Sequence, residues 1–505
     1  MLSKFVILGL LLTTLLDSQA KSPQKEPPAT ELDASALPPP PSAEAAQLPK
    51  SQTVAPPGAI DETSSPKRCL AIVGTSDLHG HIEPTKIKSG QAILRRGGLL
   101  ALSGYIDILR REFNNKVLLL DAGDIYHGTL MSNESRGRAM IEGLNTLGFH
   151  AAAIGNHEFD FGARLNGDTT DIFGTIKDRI GEANFPFLSV NLIDDTTGEL
   201  VRWKNVKPSK LLEIEGIRIG IIGASTQSTA TTTKRANVSG LKFPSPVSSI
   251  IKEARKLRLQ GAELVIIIGH IGTDCGTYTN PSDTSKCDEN SELQSILNQL
   301  PPNTIDVALG GHTHKLVAHW LNGVATLQSS SKAKYFVWMK ACIGPKGGLD
   351  KEASEINPPK LACLDTWDNG TCRSTEQPSR VIPATFRGKN ISINSKLLQN
   401  MKPFISQANK QASSLIGIEL TQDLTRQSTA KEENLGLIVA ESMRQSVNAD
   451  IALHNRGGVR GDLSKGALTY GQAYQTLPFD NTVVTMSLTG AQLQAMVETL
   501  YKRKY

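Results

Sequence analysis

The sequence predicts an α/β protein built on a sheet covered by helices, and two observations carry that prediction. Between residue 69 and about residue 340, short apolar runs rich in Val, Ile and Leu alternate with helix-period segments, the pattern of strands buried on both faces. The chain has 505 residues and a 39% hydrophobic fraction, enough for more than one core at roughly 100 to 200 residues per domain.

Taken in order, the elements begin with an export signal over 1–20. Lys4 precedes an apolar run over 5–16, and Ser18 and Ala20 supply the small residues before a cleavage point. That run is short for a bilayer span, and residues 501–505 are charged, so no stable membrane insertion is expected after signal cleavage. Residues 21–66 are rich in Pro, Ala, Ser and Glu and include Pro38 to Pro41. They hold too little apolar surface to offset ordering entropy, and a disordered linker is expected.

A first domain is expected over 67–345. Its strand candidates are 69–75, 116–120, 150–154, 187–190, 217–223, 264–268 and 305–309. Residues 346–414 form a connection, in which 391–414 reads as a helix with Leu397, Leu398, Met401, Ile405 and Ala408 on one side. A second, smaller domain is expected over 415–505, helical at 434–447 and 497–500 and strand-like at 450–453 and 482–488. Its pattern is still running at residue 505, so the domain reads as incomplete.

Charge and cysteines narrow the function classes. Lys and Arg total 54 against 49 Asp and Glu, which provides no excess for binding a nucleic acid polymer. The six cysteines include no C-x-x-C pair, which argues against a structural zinc knuckle. In an exported chain they suit disulfides. Of fifteen possible pairings, Cys275 with Cys287 and Cys363 with Cys372 would close short loops, and Cys69 with Cys342 would pin the ends of the first domain. Nothing in the sequence specifies an oligomeric state.

The chemistry lies at the strand ends. The first candidate strand runs into Asp77-Leu78-His79-Gly80, the second into Asp121-Ala122-Gly123-Asp124, and the third into Gly155-Asn156-His157-Glu158. Two later strands run into Gly269-His270 and Gly310-Gly311-His312-Thr313-His314. In an α/β sheet the carboxyl ends of the strands border the ligand crevice, so one topology would gather all five clusters. Two divalent cations need several donors and one bridge, and a carboxylate with two oxygens bridges best; Asp124 is the candidate. Nitrogen and oxygen donors without thiolate point to zinc, manganese or similar ions. The remaining histidines, His81, His127, His150, His319 and His454, are assigned structural or surface roles.

The order D-x-H-G, G-D, G-N-H-E, G-H, G-H-T-H resembles the calcineurin-like metallophosphoesterases. Asn156-His157-Glu158-Phe159-Asp160, the later histidine spacing, Asn455-Arg456-Gly457-Gly458-Val459-Arg460 and Pro478-Phe479-Asp480-Asn481 together resemble the exported 5'-nucleotidase and UDP-sugar hydrolase family. The likeness extends from about residue 70 to the C-terminus. It implies a four-layer αββα sandwich holding two divalent metal ions, with a smaller α+β domain that holds a nucleotide substrate. By this resemblance the first metal would take Asp77, His79, Asp124 and His314, and the second Asp124, Asn156, His270 and His312. His157, oriented by Asp160, would stabilise the leaving oxygen or phosphoryl charge while metal-activated water attacks in line.

The resemblance also places Asn455 and Arg460 at the phosphate and stacks Phe479 on the base. Two departures stand out. Lys431 occupies a position where the family carries arginine, with Arg426 five residues earlier within reach as a substitute. By the same resemblance the C-terminal domain is expected to continue past residue 505 into a segment with a second base-stacking aromatic and a Gly-Asp motif, and that segment is not part of this sequence. The expected function is exported, metal-dependent removal of the 5'-phosphate from nucleoside monophosphates. Its rivals are UDP-sugar hydrolysis, 2',3'-cyclic nucleotide phosphodiesterase activity and non-enzymatic nucleotide binding.

Overall fold

All seven predicted strands form, in two sheets rather than the single sheet that periodicity alone suggests, as the four-layer sandwich implied by the resemblance requires. The structure is a computed structural model describing residues 68–89, 92–373, 380–426, 434–478 and 482–502. The signal and linker expected over 1–66 lie outside the described residues, as do Lys431 and Phe479. The chain divides into two units, Met1–Lys67 and Arg68–Tyr505, and all described residues belong to the second.

Four predicted strands, Cys69–Thr75, Val117–Asp121, Ala151–Ala153 and Phe187–Leu188, run parallel in one sheet. Tyr335–Cys342 lies antiparallel against the first of them. The other three, Ile217–Ser225, Leu264–His270 and Val307–Gly310, run parallel in a second sheet. That sheet also takes the hairpin Leu316–Leu321 with Val324–Ser329, and the edge strand Ser209–Ile214.

Uninterrupted apolar runs are explained by this division, because each sheet is covered on both faces. Along Cys69–Thr75, Leu70 and Ile72 join Leu118, Leu120, Ile219, Ile266 and Leu309 in a core between the sheets. Ala71 and Val73 point the other way, into a core shared with the helices Gly98–Glu112 and Arg138–Leu147. On the far side Ile222, Val265 and Ile267 pack with the helices Val247–Leu259 and Glu292–Gln299. The layers are therefore α, β, β, α. Each fully buried Leu or Ile contributes about 1.5–3 kcal/mol. The two sheets meet closely at Gly74, where a Cβ would fall 2.3 Å from Leu309 Cδ1.

The three spacing-based cysteine pairs are present: Cys69–Cys342, Cys275–Cys287 and Cys363–Cys372. Cys69 and Cys342 are partners in strand register and close a separation of 273 residues. A loop that long gains the most from a cross-link in the chain-entropy picture. Changing both to alanine is expected to lower stability by about 4–5 kcal/mol, against about 2–3 kcal/mol for Cys275 with Cys287. Urea unfolding of the two double variants checks the order; equal midpoints would contradict it.

Beyond residue 390 the expected helix forms as Ser395–Ala412, burying Leu397, Met401 and Ala408. Leu397 and Met401 enter the same core as Arg138–Leu147. Strand Leu415–Leu420 then pairs antiparallel with Gly466–Thr469, the expected helices form as Leu435–Ser446 and Gly490–Lys502, and a further helix, Tyr470–Thr476, lies between them. The strands expected at 450–453 and 482–488 do not form. Their alternation is real, but no described segment supplies a partner ladder, and an unpaired strand is unstable in water. Val484 and Met486 stand 72% and 71% exposed. Polar contacts tie this region to the first, among them Asn133 Nδ2 donating to the Tyr474 hydroxyl at 2.6 Å and Gln411 Nε2 to Glu134 Oε1 at 2.9 Å.

Candidate active site

Both parallel sheets point their carboxyl ends at one rim, and five loops leave their strands there. Asp77 and His79 follow Cys69–Thr75, Asp124 follows Val117–Asp121, and Asn156 follows Ala151–Ala153. His270 ends its own strand, and His312 and His314 follow Val307–Gly310.

These loops turn so sharply that several donors take left-handed backbone. Asp77 has φ 53°, His79 47°, Asp124 58°, His312 75° and His314 57°. Side chains other than glycine adopt this region at a cost of order 1–3 kcal/mol, and such residues cluster where function demands them. The loops also approach closely: a Cβ on Gly155 would lie 2.2 Å from Asp124 Oδ1.

The donor atoms converge in two overlapping groups. Asp77, His79 and His314 form one; Asp77, Asp124 and His270 form the other. His314 Nε2 lies 3.0 Å from His79 Nε2 and 3.3 Å from Asp77 Oδ1. His270 Nε2 lies 3.1 Å from Asn156 Oδ1 and 3.1 Å from Asp124 Oδ2. The same Asp124 oxygen is 3.9 Å from His79 Nε2, between the two groups. His312 donates its backbone N–H to Asp77, and its ring lies 5.1 Å from that of His270, with Nε2 turned to Ser228 Oγ at 3.2 Å.

Tautomers follow from the outer contacts. His79 Nδ1 donates to the His127 carbonyl at 2.9 Å, and His270 Nδ1 to the Ala122 carbonyl at 2.9 Å. In the neutral rings the Nε2 lone pairs then face inward, toward other acceptors. Lone pairs aimed at one another in a buried pocket need a cation or a proton between them, so the donor set fits divalent metal. In the metal-free protein a proton takes that place on His270. Burial pushes its pKa down, but the Asp124, Asp77 and Glu158 charges outweigh burial and raise it to about 10. His79 is lowered to about 3 by burial, against the raising effect of Asp124.

His157 stands at the edge of this cluster, its ring 5.2 Å from that of His79. Its backbone N–H donates to Asp124 Oδ1 at 2.9 Å, and its Nδ1 lies 2.5 Å from Asp160 Oδ2. Burial disfavours the imidazolium, yet the Asp124 and Asp160 carboxylates more than offset this and raise it to about 9.

Two residues escaped the sequence reading. Glu158 is buried and accepts from the backbone N–H groups of Asp124 at 2.8 Å, Ile125 at 2.7 Å and Gly155 at 2.7 Å, locking together the loops that carry Asp124 and Asn156. Its place in G-N-H-E beside Asn156 was the available signal. His127, assigned a structural or surface role, is buried beside His157 and Asp160; its position three residues after Asp124 was the clue.

The C-terminal residues are placed more loosely. Asn455 caps the turn Arg456–Gly458, and Arg426 donates from its backbone to Asp462 Oδ1 at 2.8 Å. Burial first, then the Arg460, Lys334 and Arg426 charges lower the pKa of Lys332. The backbone N–H of Lys332 donates to the Asp77 carbonyl at 2.7 Å.

Fold and donor set define a metal-dependent phosphoesterase. The calcineurin-like phosphoesterase model matches residues 70–316, and the model of the 5'-nucleotidase C-terminal domain matches residues 409–505. The chain belongs to the 5'-nucleotidase family of calcineurin-like phosphoesterases and is a phosphoric ester hydrolase. Members of this class work with divalent metals. Among relatives, a 5'-nucleotidase of Vibrio cholerae is 25% identical over 450 residues, covering 84% of this chain and 74% of that one. The cell wall protein Lmo0130 of Listeria monocytogenes is 24% identical over 468 residues, covering 86% of this chain and 56% of its own length. The solved 5'-nucleotidase precursor of Thermus thermophilus shares the fold, with a TM-score of 0.59 at 23% identity, over 82% of this chain and 75% of that one. Among the described residues no helix is long and apolar enough to cross a membrane.

Proposed function

We propose that this protein removes the 5'-phosphate from nucleoside monophosphates outside the cytoplasm, using two divalent ions. One ion would be held by Asp77, His79, Asp124 and His314, the other by Asp124, Asn156, His270 and His312. The observation that carries the reading is the position of Asp124 Oδ2, 3.1 Å from His270 Nε2 and 3.9 Å from His79 Nε2, where one oxygen serves both groups.

When bound, the ions supply Lewis acidity toward the phosphoryl oxygens and lower the pKa of water. The chain does the rest. His157, held as an imidazolium by Asp124 and Asp160, presents positive charge and a proton to the oxygen that leaves. Arg460, Arg426 and Lys332 place further positive charge near the Asp77 side of the rim, where a phosphate enters. The segment from about residue 415 acts as the substrate-binding domain, with Asn455 and Arg460 at the phosphate and Phe479 at the base. Export by the signal over 1–20 agrees with three disulfides, since these persist in oxidising compartments.

The test is phosphate release by the purified protein with manganese or zinc, over AMP, UDP-glucose, ATP and a 2',3'-cyclic nucleotide. AMP is expected to be the preferred substrate by kcat/KM. A metal-loaded, folded protein inert on all four would replace hydrolysis with nucleotide binding, and preference for another member of the panel would reassign the substrate.

A further inference from the structure

Asp160 is shared. Its Oδ2 lies 2.5 Å from His157 Nδ1 and 2.7 Å from His127 Nδ1, and its Oδ1 accepts from Thr233 Oγ1 at 2.9 Å. The two imidazoles stack with centroids 6.0 Å apart and planes 19° from parallel. His127 is 4% exposed, and the ring of Phe161 meets it edge-on at 5.2 Å. His127 itself sits on the loop that carries Asp124, and its carbonyl receives His79 Nδ1 at 2.9 Å.

A carboxylate held by a single donor can turn about its Cβ–Cγ bond, and the ring it supports turns with it. Contacts on both oxygens, from three separate segments of chain, remove that freedom. A polar ring this deeply buried is also costly unless a charged or polar group faces it, and the Asp160 carboxylate lies 2.7 Å from its Nδ1, though outside hydrogen-bond alignment. We propose that His127 is a positioning residue for His157, acting through Asp160 to fix the direction of the His157 ring toward the leaving oxygen. This rests on the reading of His157 given above. His127 touches neither substrate nor the reacting atoms in this role, so its effect must disappear when His157 is absent.

The experiment is a double-variant cycle on the metal-loaded full chain, with metal content and melting temperature measured for every variant. His127→Leu removes the nitrogen, His127→Phe keeps a ring without it, and His127→Gln restores a donor of similar reach. With AMP, His127→Leu and His127→Phe are expected to lower kcat about 10-fold with KM within about two-fold, and His127→Gln to recover to within about three-fold of the parent. With p-nitrophenyl phosphate, whose leaving group needs less assistance, the loss should shrink to about three-fold or less. In a His157→Ala background, His127→Leu should have no further effect. An equal loss in that background would overturn the proposal, as would a His127→Phe variant that turns over AMP like the parent. If His157→Ala itself leaves AMP turnover unchanged, the reading of His157 fails; a strong His157 effect with an additive His127 effect sinks only this inference.

Discussion

Replacing Asp124 by asparagine is expected to lower phosphate release by about 1,000-fold or more. The carboxylate is fully buried and stands between the two donor groups, with Oδ2 toward His270 and His79 and Oδ1 receiving the His157 N–H. Asparagine keeps the shape and one acceptor but removes the charge and a bridging oxygen. A bridging charge offsets several kcal/mol of cation–cation repulsion and transition-state charge, and about 4 kcal/mol corresponds to three powers of ten. The variant should also retain less metal after dialysis, read by elemental analysis. Because His270 holds a proton up to a pKa of about 10 in the metal-free protein, an incoming ion must displace it, so reloading of the parent should weaken as pH falls. Activity within ten-fold of the parent would show that Asp124 does not bridge.

His157→Ala carries the second large effect, a fall of about 100- to 10,000-fold in kcat with metal content unchanged. The ring contributes proton and charge beside the ion cage rather than a donor to it: its N–H meets Asp124 and its Nδ1 meets Asp160. Loss of rate together with loss of metal would instead make it part of the cage. The distinction is sharp because Asn156, its neighbour, approaches His270 Nε2 at 3.1 Å.

Much of this site was legible in the chain because strand ends and chemistry coincide. Each apolar run announced its strand, and the polar residues within five positions beyond it fell on the rim. Periodicity could not divide the strands between two sheets: a run covered by helices on one side and by strands on the other reads the same as one between two helical layers. Ser209–Ile214 and the pair Leu316–Leu321 with Val324–Ser329 were missed because their polar interruptions mask the apolar run. The strands expected at 450–453 and 482–488 show the opposite error, since alternation says which face is apolar but not whether a neighbour exists. The neighbours of His127 were hidden for another reason. Its partner, Asp160, lies on a different loop 33 positions away, and nothing local in the sequence links the two.

The left-handed turns at Asp77, His79, Asp124, His312 and His314 set stability against activity. At each of these positions glycine would relax the backbone, so a drift toward an inert but sturdier protein lies open at five separate sites. At Asp77 and Asp124 the gain would be offset by the His312 and His157 N–H groups left without their acceptors, so the histidine positions are where relaxation has most to offer. The sequence has taken none of those five steps.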